Sequence, residues 1–101
     1  MYGRHGKLVA QAGKRDELVA ILTRASDLVS QLPGCHLYVV AEDLADESTI
    51  WVFEVWEDRE AHAASLQDDS VKSLIGAAMP LIGRPPEGAT LNVVAGHGLN
   101  P

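Results

Sequence analysis

One stretch decides the fold of this chain: it reads EVWEDREAH and spans Glu54–His62. It continues a run of large apolar and β-branched residues that begins at Thr49, a composition typical of a β-strand. Asp58 belongs to the residue types that cap helices, so we predict that the strand passes into a helix here. The stretch therefore brings an acid, an indole and an imidazole to one strand-to-helix corner.

The composition limits the class of protein. The chain has 101 residues, of which 47% are hydrophobic, so we expect a single domain over residues 1–101 with 96–101 as a loose tail. A net charge of −6 without a basic stripe argues against nucleic-acid binding. No apolar run approaches the roughly 20 residues of a membrane helix. The start of the chain carries no apolar signal core, so we expect a cytoplasmic protein without a membrane role.

Outward from the corner, hydrophobic periodicity predicts the order β-α-β-β-α-β. This is the split βαβ arrangement of ferredoxin-like folds, an α+β class with an antiparallel sheet. Ser70 can cap the helix that follows the corner helix. In chain order, the predicted elements are a strand within Arg4–Ala12, a helix with an apolar stripe from Leu18 to Leu32, strands His36–Glu42 and Thr49–Trp56, a short helix from Asp58 to about Gln67, a helix carrying Val71–Ala78, and a strand Ala89–Ala95.

The strand Thr49–Trp56 is apolar on both faces except at Glu54. A ferredoxin-like unit has helices on one face of its sheet, so the second face needs another cover. Two copies that pair their sheets would supply it. We therefore predict a homodimer.

Two further features accompany the corner: the run Leu32-Pro33-Gly34-Cys35, and Tyr38 shortly after it. Together with Glu54–His62, they resemble the antibiotic biosynthesis monooxygenase domain, a family of small dimeric α/β barrels. The resemblance covers most of the chain. It implies a homodimer that oxidises a small aromatic substrate with dioxygen and uses no metal or flavin. Two positions that are histidine in many relatives are Ser65 and Ser70 here.

Three residues are candidates for proton transfer. Glu54 lies on an otherwise apolar strand face, where a carboxylate must be paired or have a raised pKa; it is either a general base or a structural ion-pair partner. His62 can carry a proton at neutral pH or simply face solvent. Strand alternation places His36 on the same face as Tyr38, so both could point into one cavity.

Four residues are candidates for substrate binding: Trp56, Tyr38, Asn92 and Ser65. In the family, the tryptophan that matches Trp56 recurs as a cavity residue, and an indole wall suits a flat ligand. Tyr38 matches the tyrosine that follows the Pro-Gly-Cys run and could hydrogen-bond a substrate carbonyl. For each of them, ordinary packing or solvent exposure is the alternative.

No cofactor is expected. The four histidines, His5, His36, His62 and His97, are scattered, and no metal-ligand spacing is visible. A glycine-rich dinucleotide motif is also absent from the sequence. The single cysteine, Cys35, excludes an internal disulfide.

The leading hypothesis is a cofactor-independent monooxygenase for small aromatic or quinol-type substrates. One alternative is an enzyme that isomerises or degrades a small phosphorylated carbonyl compound, with Arg59, Lys72 and Arg84 as the available cations. Another is a dimeric ligand-binding module without turnover, which the serines at 65 and 70 would favour.

Overall fold

A computed structural model of the protein describes residues 1–99. It has four antiparallel strands in the order β2-β3-β1-β4, and this confirms the predicted ferredoxin-like α+β fold. The elements are β1 (Tyr2–Val9), α1 (Arg15–Val29), β2 (Cys35–Glu42), β3 (Thr49–Trp56), α2 (Arg59–Ser65), α3 (Asp69–Ala78), a 3-10 turn (Met79–Leu81) and β4 (Glu87–Asn92).

The core lies between the sheet and the long helices. The apolar stripe of α1 packs on β3, and Leu18 and Ile50 are completely buried at this contact. A smaller cluster at the other end of β3 joins Val29, Trp56 and Val71. Because α1 and α3 present one apolar face each, both are held against the same side of the sheet.

Aspartate side chains begin both helices after the corner. As predicted, Asp58 caps α2, and its Oδ1 accepts a 2.8 Å hydrogen bond from the backbone N–H of Ala61. The prediction that Ser70 caps the next helix is wrong. Asp68 caps the helix instead, because α3 already begins at Asp69. The Asp68 carboxylate accepts a hydrogen bond from the backbone N–H of Ser70.

Strand β1 begins earlier than predicted, at Tyr2 instead of Arg4. The two glycines that weakened the prediction are accommodated in the strand. At Gly3 a side chain would collide with Val93, since an added Cβ would lie 2.7 Å from that residue. Glycine thus serves a close contact here.

Strand β4 covers Glu87–Asn92 instead of the predicted Ala89–Ala95. It pairs with β1 from Lys7 back to Tyr2, so its pairing ends where β1 begins. Residues 96–99 have no regular secondary structure, and residues 100–101 of the predicted tail lie outside the described part. Within residues 1–99, no helix is both long and apolar enough to cross a membrane.

A β-bulge interrupts β2 at His36. Cys35 pairs with Trp56 and Leu37 pairs with Val55, so two residues of β2 advance against one of β3. Simple alternation fails at this point. The bulge therefore breaks the alternation from which we predicted that His36 and Tyr38 point to the same face of the sheet.

The face of the sheet opposite the helices is open and apolar. Val39, Phe53 and Leu91 keep 42%, 40% and 47% of their surface exposed. The ring of His5 stacks on Phe53 at 4.5 Å between centroids and lies 5.2 Å from the ring of Trp51. Within residues 1–99 no helix covers these side chains, which is the situation that led us to predict a partner copy.

Candidate functional site

A cavity of about 120 Å³ lies on the helix side of the sheet, between α1 and α3. Most of its wall is apolar, and α1 contributes Ile21, Leu22 and Ala25. Its polar lining consists of Tyr38, Glu54, His62 and Ser65. Four of the seven residues predicted for the site therefore meet at one cavity.

Strand register explains why the carboxylate has these neighbours. Tyr38 of β2 and Arg4 of β1 both pair with Glu54, one from each side, and Thr90 of β4 pairs with Arg4. Directly paired residues point to the same sheet face. The row therefore runs phenol, carboxylate, guanidinium and hydroxyl across all four strands on the helix side.

Glu54 is held by its strand neighbour. The indole Nε1 of Trp56 donates a 3.0 Å hydrogen bond to Glu54 Oε1, and Nε2 of His62 lies 3.8 Å from the same oxygen. Burial raises the pKa of the Glu54 carboxyl above its ordinary value, while the Trp56 hydrogen bond and Arg4 oppose that rise. Within residues 1–99, Glu54 Oε2 accepts no hydrogen bond, so this oxygen can take one from a ligand.

His62 sits at the polar end of the cavity between two aromatic rings. Its ring centroid lies 5.8 Å from that of Trp56, edge-on, and 5.4 Å from that of Tyr2. Burial lowers the pKa of the His62 imidazole, and the nearby cations Arg4 and Arg59 lower it further. The imidazole is therefore held in its neutral form at neutral pH, where it can accept or pass on a proton.

The two hydroxyl groups of the lining differ in what they can do. Burial, followed by the negative charge of Glu54, raises the pKa of the Tyr38 phenol, which stays protonated as a hydrogen-bond donor. The hydroxyl of Ser65 donates a 2.6 Å bond to the backbone carbonyl of His62. Because this bond uses the hydroxyl proton, Ser65 can only accept a hydrogen bond from a ligand.

Trp56 is completely buried and supports the cavity from behind, through the hydrogen bond to Glu54. We predicted that Trp56 lines a substrate pocket, with core or interface packing as the alternative, and the lining of the cavity does not include it. Its ring packs instead with Val29 and Val71 in the core. The indole is buried because the helices enclose the end of β3. It positions the Glu54 carboxylate through its hydrogen bond.

Two predicted site residues lie elsewhere. The structure does not bring His36 to the cavity that Tyr38 lines: at the bulge its buried imidazole places Nε2 2.7 Å from Oε2 of the exposed Glu57. Asn92 is exposed on β4 opposite Tyr2. It lines a separate surface depression, because the helices do not extend over the β4 edge of the sheet.

No metal centre is present in the described chain: within residues 1–99, no three His, Cys, Asp or Glu side chains are grouped as ligands. Burial raises the pKa of the Cys35 thiol, so it is a poor nucleophile.

Sequence reasoning missed Tyr2 and Arg4, which flank His62 and Glu54. The signal that could have found them is strand pairing, since β1 lies between β3 and β4 in a split βαβ sheet. The residue of β1 that pairs with Glu54 therefore lies beside the site.

The geometry is shared with a known family. The sequence model described as "Antibiotic biosynthesis monooxygenase" matches residues 1–76, a range that includes all four polar residues of the cavity. The chain belongs to this family. No protein in a search of curated proteins matched the sequence.

Solved structures of family members have the same fold. A candidate antibiotic biosynthesis monooxygenase from Chloroflexus aurantiacus is 43% identical, with a TM-score of 0.90 over 98% of both chains. A second candidate, from Deinococcus radiodurans, is 26% identical, with a TM-score of 0.84 over 95% of both chains. A mutant of SnoaB, a cofactor-independent oxygenase from Streptomyces nogalater, is 14% identical, with a TM-score of 0.82 over 95% of both chains, and this likeness concerns the fold alone.

Proposed function

We propose that the protein is a cofactor-independent monooxygenase for small aromatic, quinol-type substrates. One observation carries the proposal: a carboxylate with a raised pKa and one unoccupied oxygen, Glu54, lies at the polar end of an apolar cavity. This is the arrangement that a general base needs to remove a proton from a phenol or its keto tautomer. The name of SnoaB adds that a protein of this fold is an oxygenase.

The proposed reaction converts a ring CH₂ group, or its phenol tautomer, into a carbonyl. Glu54 takes the proton, and the resulting anion passes one electron to dioxygen. The two radicals then combine into a C–O bond. Cleavage of the O–O bond and of the second C–H bond releases water, so that substrate and O₂ give ketone and H₂O. The substrate supplies all four electrons, and no other reductant is needed.

The other polar groups of the cavity have roles that match their protonation states. The protonated phenol of Tyr38 can donate to a substrate oxygen on which negative charge develops. Neutral His62, next to Glu54, can relay the abstracted proton toward solvent or toward the departing peroxide oxygen. The apolar walls keep the anion away from water, which favours electron transfer to dioxygen.

Cavity size restricts the substrate. A dry cavity of roughly 150 Å³ admits benzene, so about 120 Å³ accommodates at most one ring. We therefore expect the reacting ring to enter and any further part of the substrate to remain at the mouth.

We also propose that the active form is a homodimer joined through the open sheet face. The support is the exposed apolar row that includes Val39, Phe53 and Leu91. An interface there would bury these side chains as a partner sheet does in a two-layer packing. Sedimentation of the wild type and of Phe53→Asp tests this, and a wild type that sediments as a monomer at working concentration would refute it.

Oxygen uptake tests the proposed reaction. The purified protein is mixed with a panel of hydroquinones and anthrone-like substrates, and oxygen consumption is compared with product formed. We expect one O₂ per ketone, and a fall of about 100-fold or more in Glu54→Gln, the usual loss when a general base is removed. Glu60→Gln, an exposed change on α2, should retain the activity. Unchanged oxygen uptake across the panel would overturn the proposal.

Two alternatives remain proposals. For a phosphorylated carbonyl substrate, Arg59 lies near the cavity, whereas Lys72 and Arg84 do not line it. For a binding module without turnover, the support is Ser65, whose hydroxyl proton is bound to a backbone carbonyl and cannot move. Tight ligand binding without product after long incubation would favour the second alternative.

A further inference from the structure

Two arginines stand beside the Glu54–His62 end of the cavity. Arg4 is the strand-register partner of Glu54 on β1, and Arg59 is the first residue of α2. Neither guanidinium forms an ion pair with any acidic side chain in residues 1–99. In a chain with a net charge of −6, two unpaired cations at the site are notable, because acidic side chains outnumber basic ones.

Arg4 is fixed in place by hydroxyl groups. Its Nη1 donates to Tyr2 Oη at 3.4 Å and to Thr90 Oγ1 at 3.5 Å. Nε and Nη2 donate to no other group in the described chain. These two nitrogens form the fork with which arginine binds both oxygens of a carboxylate or phosphate.

Arg59 approaches the same place from the helix side. Its guanidinium carbon lies 5.1 Å from the ring centroid of Tyr2, in cation–π contact. The other neighbour of the Tyr2 ring is His62, at 5.4 Å between centroids. Tyr2 thus separates the cationic group from the imidazole that lines the cavity.

A depression of about 350 Å³ opens at this point, and its lining includes Tyr2, Arg59, Thr90 and Asn92. The carboxylates of Glu57 and Asp58 also line it. Each has one oxygen in a close contact and keeps a second: Glu57 Oε2 lies 2.7 Å from His36 Nε2, and Asp58 Oδ1 accepts the N–H of Ala61. The groups of this lining that can donate to an anionic ligand are the guanidinium of Arg59, the hydroxyls of Tyr2 and Thr90 and the amide of Asn92.

We propose that Arg4 and Arg59 form an anion-binding subsite that holds a carboxylate or phosphate substituent of the substrate while its ring occupies the cavity. The inference rests on the proposed function for the identity of the ring, and it adds the charge of the substrate. The side-chain amide of Asn92, which lines the same depression, would donate a hydrogen bond to this anionic group. It also explains how an acidic protein would retain a negatively charged ligand next to Glu54.

Binding without oxygen tests the subsite independently of turnover. Phenol is compared by calorimetry under anaerobic conditions with 3-hydroxybenzoate, 4-hydroxyphenylacetate and 4-hydroxyphenyl phosphate. We expect at least one anionic probe to bind about 10- to 100-fold more tightly than phenol, as charge-assisted hydrogen bonds provide. A gain confined to the phosphate probe identifies a phosphate ester as the substituent, and a gain confined to the carboxylates identifies a carboxylate.

Variants assign the gain to the two arginines. Arg4→Gln and Arg59→Gln should each remove about tenfold or more of the preference for the anionic probe and leave phenol binding unchanged. Arg24→Gln, an exposed change on α1, is the matched control and should bind every probe as the wild type does. If Arg4→Gln fails to fold, Arg59→Gln carries the test, since Arg59 is exposed.

Equal affinity for all probes would overturn the subsite, and so would a loss in the arginine variants that is as large for phenol as for the anions. Oxygen uptake with neutral quinols combined with equal affinities would refute the subsite alone. A clear anion preference without oxygen uptake would refute the monooxygenase proposal and leave the subsite standing.

Discussion

The indole N–H of Trp56 is bonded to the carboxylate of Glu54, two residues earlier on the same strand, at 3.0 Å. Adjacent same-face positions of one strand thus provide both the carboxylate and the donor that orients it. Because Trp56 is completely buried, it holds this carboxylate in one position. Removing the donor should change the acidity of Glu54 as well as the packing.

We predict that Trp56→Phe destabilises the protein by about 2–4 kcal/mol, through loss of a hydrogen bond to a charged group and through the space left by the smaller ring. The pKa of Glu54 should rise, since the hydrogen bond that opposes its elevation is gone. Urea unfolding measures the first effect. An acidic limb of the pH–rate profile, where the rate rises as Glu54 loses its proton, displaced to higher pH reports the second.

Trp51→Phe is the matched control for this change. Trp51 also donates from Nε1 to a carboxylate, Asp43 Oδ2 at 2.8 Å, but it lies on the open face of the sheet, away from the cavity. It should lose less stability and keep the pH profile of the wild type. Equal displacement in both variants would show that the profile does not report on Glu54.

We predict that Glu54→Gln makes stability less dependent on pH. Folding raises the pKa of Glu54, so above its ordinary value the folded state binds more protons than the unfolded state. The wild type therefore loses unfolding free energy as pH rises through the window between the ordinary and the raised pKa, by at most about 1.4 kcal/mol per pH unit. Glutamine keeps an oxygen for Trp56 and carries no titrating charge.

The measurement is urea unfolding of both proteins from pH 4 to pH 8. The advantage of Glu54→Gln should grow from about the ordinary pKa of glutamate upward and then level off. Glu60→Gln removes the same charge at an exposed position and serves as the control. A constant difference between Glu54→Gln and wild type across this range would contradict the raised pKa.

We predict that Ala25→Leu blocks the cavity. Ala25 belongs to the wall that α1 contributes, and the added carbons would occupy much of the 120 Å³. Phenol affinity should fall at least about tenfold, while stability changes by no more than about 1.5 kcal/mol, because an apolar group fills an existing space. Ala63→Leu, exposed on α2, should leave phenol binding unaltered. Unimpaired binding to Ala25→Leu would mean that the ring binds elsewhere.

We predict that Gly34→Ala costs more stability than Gly13→Ala. Both glycines have positive φ, 83° and 75°, so each substitution carries about 1–2 kcal/mol of backbone strain. At Gly34, an added Cβ would also lie 2.7 Å from the Cβ of Ala61, whereas at Gly13 it would meet nothing within 4 Å. We expect a total of about 2–4 kcal/mol for Gly34→Ala. Equal urea midpoints for the two variants would refute the close contact.

The element order could be predicted because each element has its own local pattern. The stripe of α1 and the two-sided apolar pattern of β3 specify the sheet and its helices, and Asp58 marks the start of α2. Element ends were less accurate, since strand ends follow from pairing: β4 ends at Asn92, opposite Tyr2, the first residue of β1.

The candidate site was predictable where alternation holds. Glu54 and Tyr38 were singled out by their strand positions and His62 by its place in the corner helix, and all three line the cavity. His36 was misplaced because a bulge cannot be read from alternation, and Trp56 was expected to line the cavity although the helices enclose it. Arg4 was missed because its role depends on a partner some fifty positions along the chain.

The row that joins Tyr38, Glu54, Arg4 and Thr90 exists only through strand register. A single inserted residue in the middle of β3 would send every later side chain of that strand to the opposite surface and move the Glu54 carboxylate out of the cavity. We therefore expect insertions to be tolerated in the loops between strands and not within the strands. A related chain with a deletion inside one of these strands should lack the row and, with it, the proposed base.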